Sequence, residues 1–262
     1  MLPIKDDIPT RRFPIVTVVI IAINVIVFFG FQVNSVSLDG ADLKQDVVVK
    51  YSAIPYEITH PGDQCAGTTT GEIACGPSQQ IESETGQSFP PTILTIFFAM
   101  FMHGGLLHLG GNMLFLWIFG NNIEDSMNRA LFVVFYLLGG VVAMLAQTVF
   151  DTNSAVPTLG ASGAIAAVLG AYALLYPRAR VLTLVIIIFF VTILRLPALL
   201  VLGLWFLLQL LDFSSTQPTS GGGGGVAYLA HIGGFAFGLI AIRLFATNVY
   251  DDYERAHRTP VY

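Results

Sequence analysis

The chain has 262 residues, of which 54% are hydrophobic and only 11% are charged, and its mean hydropathy is +0.72. Soluble domains carry about 25% charged residues, so this composition excludes an ordinary soluble domain and indicates a polytopic membrane protein. The formal net charge is −5 and no basic run occurs, which argues against a nucleic-acid-binding protein.

Six apolar segments are predicted to be membrane spans, because each approaches the roughly 20 residues that a helix needs to cross a bilayer. Two longer apolar runs are interrupted, one at His103–Gly105 and the other at Arg195–Pro197. The pieces before these breaks, Pro91–Met102 and Val181–Leu194, are predicted to be interfacial or re-entrant. The predicted spans are Pro14–Val33, Leu106–Phe119, Leu131–Phe150, Val156–Tyr176, Pro197–Phe213 and Val226–Ala246.

The expected fold class is an all-α polytopic membrane protein, a bundle of six transmembrane helices with a long first outer loop. Residues 1–13 are predicted to be a cytoplasmic N-terminus, 14–247 the membrane domain with its outer loop at about 34–90, and 248–262 a cytoplasmic tail. With this span count, ten of the twelve Lys and Arg residues fall on the side of the N-terminus. The positive-inside rule therefore predicts cytoplasmic termini, and we expect a plasma-membrane protein whose active site opens to the outer face.

Two segments outside the predicted spans have a distinctive composition. The long loop holds both cysteines, Cys65 and Cys75, and an oxidising outer face would allow them to form a disulfide, although two free thiols are the alternative. The segment Ser214–Gly225 ends in five glycines and directly precedes the sixth span. A glycine-rich segment is flexible, and we hypothesise that Gly221–Gly225 lets a lid over the site open.

Polar side chains occupy similar depths in the outer halves of three predicted spans. His108 and Asn112 lie in the second span, Ser162 in the fourth and His231 in the sixth. Polar groups in membrane helices are costly and usually mark function. A serine with a histidine as its base is suited to acyl transfer, and His108 and Asn112, four residues apart on one helical face, could stabilise an oxyanion. With no acidic residue in these half-spans, the pattern predicts a Ser–His dyad.

Glycines in the fourth and sixth spans would allow these two helices to approach closely. Gly160 and Gly163 flank Ser162, while Gly234 and Gly238 form a G-x-x-x-G pattern after His231. Small residues at such spacing are typical of tightly packed membrane helices. These four glycines are therefore predicted to be packing residues.

Three motifs together resemble the rhomboid intramembrane serine proteases: HGGLLHLGGN at His103–Asn112, GASG at Gly160–Gly163 and AHIGGFAFG at Ala230–Gly238. The resemblance implies a six-helix core and cleavage of transmembrane substrates. It also implies that Ser162 is the nucleophile, His231 the base, and that the oxyanion hole contains His108, Asn112 and the Ser162 amide. Glu124 resembles a structural acid of the family. Many members carry a tyrosine under the catalytic histidine where this chain has Ala166, so the support of the His231 ring stays open.

The predicted function is that of an intramembrane serine endopeptidase, which cleaves transmembrane segments through an acyl-enzyme intermediate. The alternative is a catalytically inactive rhomboid-like factor that binds membrane proteins, and a transporter or channel is a further rival. No metal and no cofactor is expected, because His103, His108 and His231 lack nearby Cys, Asp or Glu ligands. The expected partners are transmembrane protein substrates and the lipid bilayer, with the oligomeric state left open.

Overall fold

The structure, a computed structural model, describes residues 2–37, 40–68, 72–187, 190–215 and 227–247 of the chain. The predicted C-terminal tail at 248–262 and the hypothesised lid at Gly221–Gly225 lie outside these residues.

Most of the described residues are helical. The first helix, α1, continues into a π-helical turn at Phe28–Gln32, and α6 continues through a similar turn at Leu116–Gly120 into α7. The helices are α1 Ile15–Val27, α2 Gln45–Tyr51, α3 Pro55–Thr59, α4 Ser78–Thr85, α5 Thr92–Ala99, α6 Leu106–Phe115, α7 Asn121–Ser126, α8 Arg129–Phe150, α9 Ser162–Leu175, α10 Ala198–Ser215 and α11 Tyr228–Phe245.

Three of these helical segments are long and apolar enough to cross a membrane: Ile15–Gln32, Arg129–Phe150 and Tyr228–Phe245. Two shorter apolar helices, Ser162–Leu175 and Ala198–Leu211, accompany them. The structure therefore supports a polytopic, mostly helical membrane fold. The count of six spans stays a prediction.

The expected all-α fold holds only in part: the described residues are mostly helical, but seven strands among them form three small antiparallel sheets. The segment predicted to be interfacial, Val181–Leu194, belongs to a β-hairpin. It is rich in Val, Ile and Thr, whose branched side chains fit a pleated sheet better than a helix. The strands are β1 Leu2–Asp6, β2 Val33–Ser37, β3 Gly40–Leu43, β4 Asp63–Gly67, β5 Ile73–Pro77, β6 Arg180–Ile187 and β7 Phe190–Pro197, paired in the orders β1-β6-β7, β2-β3 and β4-β5.

One end of the helical bundle, which we call the sheet end, contains the β1-β6-β7 sheet. Glu124 of α7 lies at this end and accepts hydrogen bonds from the Thr17 backbone N–H at 2.8 Å and from the Thr17 hydroxyl at 2.8 Å. A carboxylate at a helix N-terminus satisfies unpaired N–H groups and complements the helix dipole. The last helix is tied to the same end, because the Thr247 N–H donates to the Ser126 carbonyl at 3.0 Å.

The opposite end, which we call the site end, is covered by residues 33–91. This segment, expected to be a long loop, contains four strands and three short helices. Cys65 and Cys75 are directly paired across β4 and β5 and form a disulfide. The segment is thus a folded cap with its own small core.

Helix α9 is the central helix of the bundle. Every residue from Gly163 to Ala173 is buried, and most of them are Gly or Ala. By contrast, the surrounding helices expose large apolar side chains, such as Leu107, Ile240 and Leu244. Apolar side chains outside and small ones inside are what a helical bundle in lipid requires, since its helices gain more from close packing than from hiding apolar surface.

Candidate active site

Ser162 and His231 lie at hydrogen-bond distance. Ser162 is the first residue of α9 and His231 is in the first turn of α11, with 69 positions of sequence separating them. The distance from Ser162 Oγ to His231 Nε2 is 2.8 Å, and His231 is only 9% exposed. A hydroxyl held against an imidazole nitrogen is the arrangement in which a base can take the proton of a nucleophile.

The helix that carries Ser162 begins later than the sequence predicted. The span was expected from Val156, but residues 156–161 form a loop and α9 starts at Ser162. Pro157 has no backbone N–H to continue a helix, and Gly160 has a φ of +130°. Ser162 therefore lies at a helix N-terminus, where backbone N–H groups have no partner within the helix.

Glycines of α11 lie directly against the backbone of α9. A Cβ atom added at Gly234 would collide with the Gly163 carbonyl, and one at Gly238 with the Ala167 carbonyl. Helix α9 also packs closely on α8, because a Cβ at Gly163 would lie 2.6 Å from the Ala143 Cβ. The Ser162–His231 distance depends on these close helix contacts, since larger residues would force the helices apart.

Gly160 was predicted to be a helix-packing residue, but it does not lie between helices as Gly234 and Gly238 do. It lies in the loop before α9, and its positive φ strains any other residue. An added Cβ would be 2.9 Å from Cε1 and 3.0 Å from Nε2 of His108, and 3.4 Å from Ser162 Oγ. Gly160 thus keeps open a small space that the His108 ring and the Ser162 hydroxyl both border.

The second ring nitrogen of His231 has a partner that the sequence reading missed. Gln209 of α10 places its Oε1 2.6 Å from His231 Nδ1, and the ring of Trp205, one turn earlier, is 5.8 Å from the His231 ring. Trp205 therefore stands beside His231, where the sequence had left the support of the ring open. Gln209 is the one strongly polar residue of the run Pro197–Leu211. That isolation is the signal that could have identified it.

His108 and Asn112 border the site from α6. Nδ1 of His108 accepts a hydrogen bond from the Gly104 N–H at 3.2 Å, so its Nε2 carries the ring proton and is a donor. Asn112 is 9% exposed, and within the part of the chain that the structure describes its Nδ2 has no hydrogen-bond partner. A buried amide donor without a partner is costly, and a ligand oxygen would satisfy it.

His103 is fully buried below His108. Its ring packs edge-on against the His108 ring at 5.1 Å, and neither of its ring nitrogens has a hydrogen-bond partner among the described residues. Gln32, at the end of the first helix, holds the His103 backbone through both its N–H, at 2.9 Å, and its carbonyl, at 3.2 Å. His103 therefore supports the break between α5 and α6, and Gln32 is a second contact that the sequence did not reveal.

The loop that leads to Ser162 is held by backbone hydrogen bonds to the cap. Ala53 and Thr158 exchange two of them, at 3.0 and 2.8 Å, and the Tyr56 N–H donates to the Ser154 carbonyl at 3.0 Å. The Gly160 N–H donates to the Ala99 carbonyl of α5 at 2.8 Å. The backbone before the serine is thus fixed from two sides.

Among residues 2–37, 40–68, 72–187, 190–215 and 227–247, no group of three or more His, Cys, Asp or Glu side chains is close enough to hold a metal ion.

Comparison with known proteins places these residues in a recognised domain, since the Rhomboid domain family matches residues 90–248. The chain is similar to the presenilin-associated rhomboid-like protein A, mitochondrial, of Danio rerio, at 36% identity over 33% of this chain and 23% of that protein. It is 32% identical to the mitochondrial Rhomboid protein 1 of Saccharomyces cerevisiae over 34% of this chain and 27% of that protein. It is 40% identical to the rhomboid protease GluP of Bacillus subtilis over 27% of this chain and 13% of that protein.

The chain thus covers about a quarter or less of the length of these relatives.

The comparison also corrects the predicted location. The plasma membrane is the wrong expectation, because two of these three relatives are named as mitochondrial proteins and point to a mitochondrial membrane instead. The assignment of the termini to the cytoplasm and of the active site to the outer face depended on the plasma membrane and no longer applies.

The family match covers more than half of the chain and includes α5 to α11 with all of the residues around Ser162 and His231. The chain belongs to the rhomboid family.

Proposed function

We propose that this chain is an intramembrane serine endopeptidase that cleaves transmembrane segments of membrane proteins. The observation that carries the proposal is the 2.8 Å contact between Ser162 Oγ and His231 Nε2 at the buried site end of the bundle. The family match and the similarity to a protein named a rhomboid protease support it. The proposal includes a domain at 14–247 with six spans, in which the cap at 33–91 stands outside the lipid.

In the proposed reaction, His231 Nε2 takes the proton of Ser162 while Ser162 Oγ attacks the carbonyl carbon of the scissile peptide bond. The tetrahedral intermediate carries a negative oxygen, which the His108 Nε2–H, the Asn112 Nδ2–H and the Ser162 N–H would stabilise. His231 then gives its proton to the leaving amine, and an acyl-enzyme remains. Water attacks this ester with His231 again as the base, which releases the acid and restores Ser162.

The donors assigned to the oxyanion are favoured by their present surroundings. The Gly104 N–H holds the His108 ring so that its Nε2–H lies beside Gly160, and Asn112 Nδ2 has no partner among the described residues. Donors that are already oriented need little reorganisation when negative charge develops, and the Asn112 amide is in addition already buried. This is the physical reason to assign His108 and Asn112 to stabilisation of the intermediate rather than to packing.

The proposal is tested with purified protein, a single-span membrane substrate and a fluorophosphonate probe. In the probe reaction, Ser162 Oγ would attack phosphorus and fluoride would leave. We expect the wild type to cleave the substrate and to be labelled, and the Ser162→Ala protein to do neither while folding normally. Cleavage by the pure Ser162→Ala protein would refute the nucleophile assignment. Failure of the wild type in both assays would favour the inactive, membrane-protein-binding alternative.

A further inference from the structure

Gln209 is an isolated polar residue in the part of α10 from Ala198 to Leu211, which is otherwise apolar. Its neighbours Leu207, Leu208, Leu210 and Leu211 are exposed on the surface of α10, whereas Gln209 is half-buried. An amide within a membrane helix is unfavourable unless its polar atoms find partners. The partner of its oxygen is the imidazole of His231, at 2.6 Å.

This contact determines which nitrogen of His231 carries the hydrogen. A neutral imidazole has one N–H and one bare nitrogen, and an amide oxygen can only accept a hydrogen bond. With Gln209 Oε1 against Nδ1, the hydrogen lies on Nδ1 and the bare nitrogen is Nε2, which faces the Ser162 hydroxyl at 2.8 Å. The opposite tautomer would present an N–H to the serine and could not take its proton.

The same face of α10 also fixes the ring plane. Trp205 lies four residues before Gln209, hence on the same side of the helix, and its ring is tilted by 41° against the His231 ring. Behind Trp205, the Phe206 ring stacks on Phe235 of α11 at 4.6 Å. One hydrogen bond and one ring contact from α10 therefore orient a base that belongs to α11.

We infer that Gln209 is a positioning residue of the site, which holds His231 in the Nδ1–H tautomer and thereby makes Nε2 available to Ser162. The inference rests on the proposed function. It assigns to a neutral amide the place that a carboxylate holds in a Ser–His–Asp triad. As His231 becomes positively charged, the amide dipole stabilises the Nδ1–H without a second formal charge in the site.

The test compares three variants of α10. Gln209→Met keeps the length of the side chain and removes the acceptor. Gln209→Glu keeps acceptor oxygens and adds a charge. Leu208→Met, at the exposed neighbouring position, is the matched control for the introduced methionine. Each protein is assayed for kcat and KM with a single-span substrate, for its pH–rate profile and for its melting temperature.

We expect Gln209→Met to lower kcat by about 10- to 100-fold, a part of the roughly 100- to 10,000-fold that a positioned base contributes. KM and melting temperature should stay near those of Leu208→Met, because the change acts on the base and not on substrate binding. Gln209→Glu should recover much of the lost rate at high pH, and its acidic limb should lie at higher pH than in the wild type. A carboxylate favours the charged imidazole, which cannot act as base.

Equal kcat values for Gln209→Met and Leu208→Met would overturn the inference. A second result would also overturn it: kcat falls equally in Gln209→Met and Gln209→Glu, both melting temperatures fall, and the acidic limb of the pH–rate profile stays in place. That result would indicate that Gln209 has a packing role only.

The tautomer is measured directly by 15N NMR of histidine-labelled protein, with the His231 signals assigned by comparison with His231→Ala. We expect the Nδ1–H form in the wild type and a mixture or the opposite form in Gln209→Met. This readout does not require catalysis, so it separates the two failures. A wild type with the Nδ1–H tautomer but without cleavage or labelling would refute the proposed function and leave the role of Gln209 in place. The opposite tautomer in an active wild type would refute the role of Gln209 alone.

Discussion

Replacement of Gly234 by alanine tests whether the close contact between α9 and α11 positions the dyad. An added Cβ would collide with the Gly163 carbonyl and would lie 3.2 Å from the Ala166 Cβ. Both obstacles belong to the buried helix α9, and one of them is backbone. Neither can rotate away, so the two helices must separate.

The size of that separation follows from ordinary contact distances. Non-bonded carbon atoms prefer about 3.5–4.0 Å, so relief of the collision requires a shift of at least about 1 Å. Gly163 follows Ser162 directly, and His231 lies one turn before Gly234, so most of this shift reaches the dyad. The Ser162–His231 distance would grow from 2.8 Å to about 3.8 Å, beyond the range of a hydrogen bond.

We therefore expect Gly234→Ala to lower kcat by about 100-fold, the typical effect of a misplacement of about 1 Å. The free energy of unfolding should fall by about 1–3 kcal/mol, since overpacking strains the core. Gly203→Ala is the matched control: it lies in the apolar helix α10, and the space around it is open within 4 Å. The assay is cleavage of a single-span substrate, with melting temperature measured in the same detergent. A Gly234→Ala protein with the kcat of Gly203→Ala would refute the argument.

Three further outcomes are expected. Asn112→Ala and His108→Ala should each lower kcat by about 100- to 1000-fold, the usual cost of one oxyanion donor, and an effect on KM alone would contradict that role. Replacement of Cys65 and Cys75 by serine should lower the stability of the cap by up to roughly 3 kcal/mol, seen as a lower melting temperature that reductant no longer affects. Burial raises the pKa of Glu57 to about 7, against the opposing effect of a hydrogen bond from the Cys65 N–H. The stability that protonated Glu57 contributes is therefore fully present below its ordinary pKa of 4.5 and is lost as pH rises toward 7. Glu57→Gln should make the melting temperature less dependent on pH across this range. An unchanged pH dependence would contradict the raised pKa.

Several features of the fold follow from composition and hydrophobic pattern. Long apolar segments are the strongest signal in a sequence, so the helices at Ile15–Gln32, Arg129–Phe150 and Tyr228–Phe245 agree closely with the predicted spans. The proximity of Ser162 and His231 was expected because polar groups in membrane helices need partners and the glycines beside them allow a close approach. The catalytic role of that pair stays a prediction until it is measured.

Other features depend on information that a single sequence does not contain. An apolar run such as Val181–Leu194 fits either a helix or a strand, and here pairing with β1 and β7 selects the strand. The bridge between Ala53 and Thr158 joins residues that no periodicity relates. Gln209 was visible as an isolated polar residue, but its partner depends on how α10 is rotated, and a pattern of leucines on nearly every side leaves that rotation undetermined.

The parts of the site differ in how firmly the fold holds them. The Ser162 loop is bonded to the cap at Ala53 and to α5 at Ala99, and α9 is enclosed along its length. Helix α10, in contrast, has its backbone tied at the sheet end, where the Ala198 N–H donates to the Ala179 carbonyl at 2.7 Å. Toward the site end, its contacts with α11 include those of the Gln209 side chain with His231 and of the Phe206 ring with Phe235. A shift of about 1 Å would lengthen the 2.6 Å contact between Gln209 Oε1 and His231 Nδ1 beyond hydrogen-bond distance. The tautomer of His231 therefore depends on the position of the part of α10 that carries Gln209. Hence a substitution that moves α10 should slow the reaction through His231 even though it touches neither the nucleophile nor the proposed oxyanion donors.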